Sequence, residues 1–208
     1  MRGQMRMLRK IIILAAIFIL LTFLIIFCPV VTQWDRSLIM FVQDHLSFSP
    51  LWVPMLPDCI LYSAMIIVPI AGFGIFFIKK RLWKDLILFC SVPLVTFLLN
   101  CILKPLVHRS RPPMEYQITS IHPDSFSYVS SHSLVTICLW GMVIFYLNKY
   151  CKNRVLKIAG VSVAILWILF VGLSRIWLGV HNPTDVFGAY VLGLVLVTVY
   201  IYIEKRLS

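Results

Sequence analysis

Three short stretches of the chain carry residues whose types and spacing suit chemistry at a phosphorus atom. The first runs from Lys104 to Arg111 and Pro112, the second is Ser130, Ser131 and His132, and the third holds Ser174 and Arg175, then His181, then Asp185. Lys104, Arg111 and Arg175 supply three fixed positive charges. Guanidinium forks match phosphate oxygens in pairs, while a lysine acts as a movable point charge. Three cations suit a dianionic phosphate monoester and the charge on its equatorial oxygens in the transition state. Two histidines suit a double displacement, in which one attacks phosphorus and the other protonates the departing oxygen and then activates water. An aspartate bonded to the attacking imidazole would hold its tautomer and offset the charge it gains.

Local chain chemistry supports this grouping. Pro183 fits the first position of a helix and Asn182 its cap, which places Asp185 one turn beyond His181 and on the same side. Ser130 or Ser131 is suited to cap the helix that follows, where backbone N–H groups and the helix dipole favour an anion. Taken singly, each residue has a structural alternative. Asn182 and Asp185 fit a capping box, His132 a hydrogen bonder at a helix end, and Lys104 and Arg175 interfacial side chains that snorkel to water. His108, Arg109 and His122 match no position of the pattern and read as solvated loop residues, as do Glu115 and Asp124.

The elements that must position these groups are membrane spans. The chain has 208 residues, 61% hydrophobic and only 13% charged, with a mean hydropathy of +0.94. A soluble domain of this size needs far more polar surface. Charge-free runs lie at 11–33, 59–78, 86–103, 158–173 and 186–203, with a shorter one at 133–148. At about 1.5 Å per residue such runs match a hydrocarbon core of about 30 Å. The expectation is an all-α integral membrane protein: a six-helix bundle forming one domain over 1–208, with spans at roughly 9–30, 57–78, 84–104, 132–149, 155–173 and 183–203. Two polar loops, 104–132 and 174–185, would carry the chemistry. Span two holds Pro69, Gly72 and Gly74, which should bend it or admit a close neighbour.

The net charge of +11 is a topology signal rather than a sign of nucleic acid binding. In the six-span arrangement the basic clusters within 2–10, 79–84, 149–157 and 205–206 share one side, leaving Arg36, Lys104, Arg109, Arg111 and Arg175 on the other. By the positive-inside rule both termini are cytoplasmic and the chemistry faces outward. The first apolar run is too long for a cleaved leader and reads as a retained span. Six cysteines show no metal-ligand spacing and serve as small apolar residues. Residues 34–47 form a short amphipathic helix after the first span, with Trp34, Leu38, Phe41, Val42 and Leu46 on one face and Asp35, Arg36, Gln43 and Asp44 on the other. It should lie in the interface with Trp34 as anchor and with packing as its role.

The three clusters resemble the signature of the type-2 phosphatidic acid phosphatase superfamily, K-x6-R-P, then P-S-G-H, then S-R-x5-H-x3-D. The first and third motifs match at every fixed position, and the second departs from it, with Val129 for proline and Ser131 for glycine. The resemblance implies that His181 is a nucleophile forming a phosphohistidine, that Asp185 orients it, and that His132 is the general acid. It implies that Lys104, Arg111, Arg175, Ser130 and the neighbouring backbone bind phosphate, with Ser131 adding a side chain there, and that no metal or other cofactor is needed. The partners it implies are a phospholipid or polyprenyl phosphate in the membrane, with no nucleic acid. Small size and minimal loops look like bacterial members, which would place the chain in a bacterial cytoplasmic membrane. Undecaprenyl pyrophosphate, phosphatidylglycerol phosphate, phosphatidic acid and a lipid A phosphate all fit. A lipid-to-lipid phosphotransferase using the same histidine, and an inactive phospholipid-binding homologue, are the alternatives from other classes.

Overall fold

A computed structural model describes residues 2–46, 60–119 and 124–207 of the chain. The proline-containing stretch 49–58 and His122 lie outside the described residues. Among the described residues the fold is a bundle of seven α-helices: α1 (Arg2–Phe27), α2 (Pro29–His45), α3 (Ile60–Lys79), α4 (Trp83–Val107), α5 (Ser131–Tyr150), α6 (Arg154–Trp177) and α7 (Pro183–Leu207). Five of them, all but α2 and α3, contain apolar windows long enough to cross a membrane. The described apolar part of α3 begins at Ile66. A lipid core offers backbone groups no water, so each crossing segment must satisfy its own N–H and C=O groups, as a helix does.

Alternation of short turns sorts the helix ends into two layers. At one end Lys84 at the start of α4 meets Glu204 at the end of α7, and Lys149 at the end of α5 reaches both Glu204 and Asp85. At the other end Thr22, late in α1, hydrogen-bonds Tyr128 just before α5. The three chemical clusters share this second end.

The centre of the bundle is α5, whose residues Ser133–Leu139, Met142, Val143 and Tyr146 are buried. Phe73, Phe77 and Phe89 pack around Tyr146 with ring centroids 4.8–6.0 Å away. Such contacts matter more here than in water, because lipid removes the hydrophobic drive between helices and leaves packing to hold them together. Gly188 and Gly193 of α7 face Tyr128 and Ile137, and a Cβ at either site would collide with them. Their close approach is inside the bundle.

Three expectations are corrected. The helices overrun the expected loops: α4 continues through Pro105 to Val107, and α6 to Trp177, so Lys104, Ser174 and Arg175 are helical. Helix is the cheapest state for backbone near lipid until another cap is available, and His108 supplies one by taking a left-handed conformation (φ 52°) while its N–H bonds the Lys104 carbonyl. His108 is therefore a cap, with its ring against Phe126. The third concerns the polar face of α2, where Asp35 is not solvated. Trp34, Leu38 and Phe41 point outward, while Asp35 and Ile39 are buried. An apolar face needs no protein cover where lipid provides it, whereas a carboxylate does.

Candidate functional site

The segment that delivers His181 is strapped from two sides. Gln43 of α2 donates to the carbonyls of Tyr116 and Trp177, the Trp177 indole donates to the Leu46 carbonyl, and the Ile118 N–H donates to the Leu178 carbonyl. Gly179 turns the chain with φ +70°, and a Cβ there would run into the Tyr116 carbonyl oxygen. A left-handed residue in that contact has to be glycine. The His181 N–H then closes back on the Arg175 carbonyl at 3.4 Å, so the end of α6 and the approach to α7 form one compact corner.

His181 is 3% exposed and its ring is held by unlike groups on its two edges. Nδ1 lies 3.6 Å from Asp185 Oδ2 and 3.3 Å from Ser127 Oγ. Nε2 lies 3.4 Å from Arg111 Nη1. A guanidinium has no acceptor, so the nitrogen facing it keeps its lone pair and the proton resides on Nδ1, toward the carboxylate. Burial is the main cause that depresses the imidazole pKa, to about 4, and Arg111 and Lys104 push the same way while Asp185 opposes them only in part. The ring is therefore a neutral base at neutral pH, with its reactive lone pair aimed at the cationic groups.

Asp185 serves two purposes that the sequence presents as alternatives. Its Oδ2 accepts from the Asn182 N–H at 2.8 Å, which is the capping-box bond, and from Ser127 Oγ at 2.5 Å. Its Oδ1 accepts from Arg109 Nη1 at 2.5 Å. Arg109 also reaches Asp35 Oδ2 at 2.6 Å, and Asp35 in turn accepts from the Thr184 N–H at 2.9 Å and hydroxyl at 2.7 Å. Burial by itself would lower the Arg109 pKa, but Asp185 and Asp35 outweigh it and hold the group above its ordinary value. This acid–arginine–acid chain fixes the first turn of α7 to α2.

Of the expected phosphate ligands, Arg111 stands on the Nε2 side of His181. Arg111 donates to the carbonyls of Val180 at 2.6 Å and Ser125 at 2.7 Å, and to Ser125 Oγ at 3.1 Å. Lys104 Nζ meets the same Ser125 hydroxyl at 3.1 Å and the Phe126 carbonyl at 2.7 Å. Ser130 caps α5, accepting from the N–H and hydroxyl of Ser133, and its own N–H bonds the Asp185 carbonyl at 3.3 Å. Its hydroxyl proton stays available to an anion. Arg175 is almost fully buried in the last turn of α6, with Nε 3.3 Å from Ser174 Oγ. His132 is half-buried in the first turn of α5. Ser131 lines a separate cavity of about 170 Å³ with Asn100 and Thr96 of α4. All these side chains sit at one end of the bundle.

Arg109, Asp35, Thr184 and Ser127 escaped the sequence reading. Arg109 is corrected from solvated loop to buried bridge, with its side chain only 10% exposed. A signal was present: Asp35 and Arg109 are ionisable groups beside membrane spans, where an unpaired charge is costly. Ser127 carries no such signal, because a lone loop serine fits any role.

Residues 85–208 match the model of the PAP2 superfamily. The chain belongs to that superfamily. Over 140 residues it is 37% identical to phosphatidylglycerophosphatase B of Bacillus subtilis (strain 168), a stretch covering 62% of each chain. Over 132 residues it is 27% identical to lipid phosphate phosphatase delta of Arabidopsis thaliana, covering 59% of this chain and 30% of that one. The match thus spans less than two thirds of either relative's length. The crystal structure of a transmembrane PAP2-type phosphatidylglycerolphosphate phosphatase from Bacillus subtilis is similar across 96% of this chain and 98% of its own, with a TM-score of 0.79 and 26% identity. The PAP2 bundle is an integral membrane fold here, and α1–α3, which lie wholly before the family match, belong to it as well.

Proposed function

We propose that this PAP2 protein is a lipid phosphatase that hydrolyses a phosphomonoester or pyrophosphate on a lipid headgroup through a phosphohistidine. The observation that carries the proposal is the His181 ring, neutral by burial, with Asp185 on its Nδ1 edge and Arg111 on its Nε2 edge. Nε2 attacks phosphorus, the bond from phosphorus to the lipid oxygen breaks, and His132 gives that oxygen its proton. Lys104, Arg111, Arg175 and the Ser130 hydroxyl hold the three equatorial oxygens as charge moves onto them. Asp185 stabilises the proton on Nδ1 while the ring carries the phosphoryl group. His132, now a base, takes a proton from water. The water oxygen bonds to phosphorus, the N–P bond breaks, and inorganic phosphate leaves.

A lipid substrate is supported by location, since these groups lie at the end of a membrane bundle, and by the Bacillus relatives, whose names specify phosphatidylglycerophosphate. Phosphatidylglycerol phosphate is accordingly the first substrate to test. The basic clusters at the opposite end support an outward-facing site in a cytoplasmic membrane. A cysteine at position 110 (Ser110→Cys) should react with an impermeant thiol reagent in intact cells, and one at 153 (Asn153→Cys) should not, against the background of the parent chain. The reverse pattern would overturn the orientation.

The deciding experiment is phosphate release by purified protein in detergent, from phosphatidylglycerol phosphate, phosphatidic acid, diacylglycerol pyrophosphate and undecaprenyl pyrophosphate, with EDTA present. Release should survive EDTA and fall by at least about 10³-fold in His181→Ala. Activity lost to EDTA, or retained in His181→Ala, would sink the mechanism.

A further inference from the structure

Beside the catalytic groups lies a second cavity of about 350 Å³, walled by Thr32 and Arg36 of α2, by 109–113 and by Asn182, with Ile25 of α1 at its edge. Its volume is within the range of ligand sites, roughly 300–1,000 Å³. Three arginines face it, and they differ in how they are neutralised. Arg109 is saturated by Asp35 and Asp185. Arg111 bonds only to carbonyls, a hydroxyl and the His181 ring. Arg36 is exposed and has no ion-pair partner among the described residues. Two guanidinium groups with no carboxylate in ion-pair contact among the described residues thus line one cavity, together with Thr32, Ser110 and Asn182, whose amide also donates to Asp185. Such a lining is complementary to an anion with several oxygens.

Two lining residues connect the cavity to the catalytic groups. Arg111 lines the cavity and also stands 3.4 Å from His181 Nε2, and Asn182 follows the nucleophile directly. An anion in the cavity therefore sits one short linker from the phosphorus under attack. Ile25 and Thr32 place the cavity beside the elbow between α1 and α2, where Val30 and Trp34 are exposed.

We infer that this cavity is a subsite for a second phosphate of the same lipid, with Arg36 as the residue that selects lipids carrying two phosphates over those carrying one. The inference rests on the lipid phosphatase reading above and deepens it. The terminal phosphate occupies the catalytic pocket, while the inner phosphate, a phosphodiester or the inner half of a pyrophosphate, binds between Arg36 and Arg111. Phosphatidic acid leaves the subsite empty.

The test compares kcat/KM on phosphatidylglycerol phosphate, diacylglycerol pyrophosphate and phosphatidic acid of matched acyl chains, in mixed micelles, for the full-length protein and its Arg36→Ala and Arg36→Lys variants. Arg36→Ala should lose about 10- to 100-fold more on a two-phosphate lipid than on phosphatidic acid, chiefly through KM. Arg36→Lys should recover only part, since an ammonium keeps the charge and loses the fork. A loss on only one of the two-phosphate lipids identifies which spacing the subsite accepts. Equal losses on all three lipids, or none, would overturn the subsite while leaving the phosphatase reading intact. A wild-type protein that turns over no lipid would sink the phosphatase reading, and the subsite is then read from binding by His181→Ala protein. Tighter binding of phosphatidylglycerol phosphate than of phosphatidic acid, by about tenfold and abolished by Arg36→Ala, supports it; equal binding overturns it.

Discussion

Arg109 is the sharpest place to test how the site is held. Its guanidinium lies between two fully buried carboxylates, 2.5 Å from Asp185 and 2.6 Å from Asp35, and is itself only 10% exposed. Arg109→Gln preserves much of the volume and removes the charge. Asp185 keeps its bonds from Ser127 and Asn182, and Asp35 keeps those from Thr184, but both retain their charge without a counter-ion. Breaking a buried pair costs about 3–5 kcal/mol, chiefly by stranding the remaining charge. Two acids share the loss, so the upper half of that range is expected. Thermal unfolding in detergent should show a drop of several degrees in Arg109→Gln. Combining it with Asp35→Asn should give back part of the loss, because one stranded charge is then gone. Catalysis should fall in kcat by about 100-fold with little change in KM, since a displacement near 1 Å at the nucleophile is enough for that and Arg109 itself touches no phosphate. Arg109→Lys should recover stability better than rate, because one ammonium cannot fork between both acids. A variant Arg109→Gln with wild-type melting and kcat within twofold would show that the bridge positions nothing.

Three further outcomes follow from the same geometry. His181 should titrate near pH 4 rather than its ordinary 6.5, read from ring resonances of histidine-labelled protein that vanish in His181→Ala; a midpoint near 6.5 would contradict the burial argument. The sign for stability is that the unfolded chain takes up this proton below about 6.5 while the folded protein resists until about 4, so this group's contribution weakens as pH falls through that window. At the opposite end, Lys149→Met strands Asp85 and Glu204 in part and should cost about 2–4 kcal/mol in thermal or denaturant unfolding, yet leave KM for the lipid unchanged. Gly179→Ala, with φ +70° against the Tyr116 carbonyl, should cost at least about 2 kcal/mol and depress kcat, whereas Gly72→Ala, whose Cβ meets open space, should be neutral or slightly stabilising in the same melt.

What the sequence made legible follows a physical line. Membrane helices announce themselves because the constraint is one-dimensional: enough apolar residues in a row, with charges at the ends. The motif residues were legible for a similar reason, since Lys104, Arg111, Arg175, His132, His181 and Asp185 are chemically costly at a lipid boundary and fall at helix ends. The boundaries were not, because α4 and α6 stop where His108 and Gly179 offer alternative backbone geometry, and nothing in hydropathy encodes that. The role of α2 was legible only in part: its interfacial placement with Trp34 outward follows from the amphipathic pattern, but burial of Asp35 on the polar face does not. Arg109 was misread with it, because its bridging role exists only through contacts to Asp35 and Asp185, 74 and 76 positions away.

The two ends of the bundle treat charge in opposite ways, and this asymmetry argues for function better than any single contact. At the end bearing the basic clusters, the buried acids Asp85 and Glu204 are met by Lys84, Lys149 and the Tyr150 hydroxyl, so each buried acid has a cation of its own. At the other end the buried acids Asp35 and Asp185 both ion-pair with Arg109, and Asp185 also faces His181. Lys104 and Arg111 are left with carbonyls and a serine hydroxyl, partners that orient a cation without neutralising it. Burial pulls the Arg111 pKa downward and Arg175 adds to it, while Asp185 opposes them only in part. A structural role would have been met more cheaply by apolar side chains or by one more acid. A pocket that keeps its cations short of counter-charge is one in which binding a dianion, and stabilising the further charge its transition state spreads over three oxygens, relieves the protein's own repulsion.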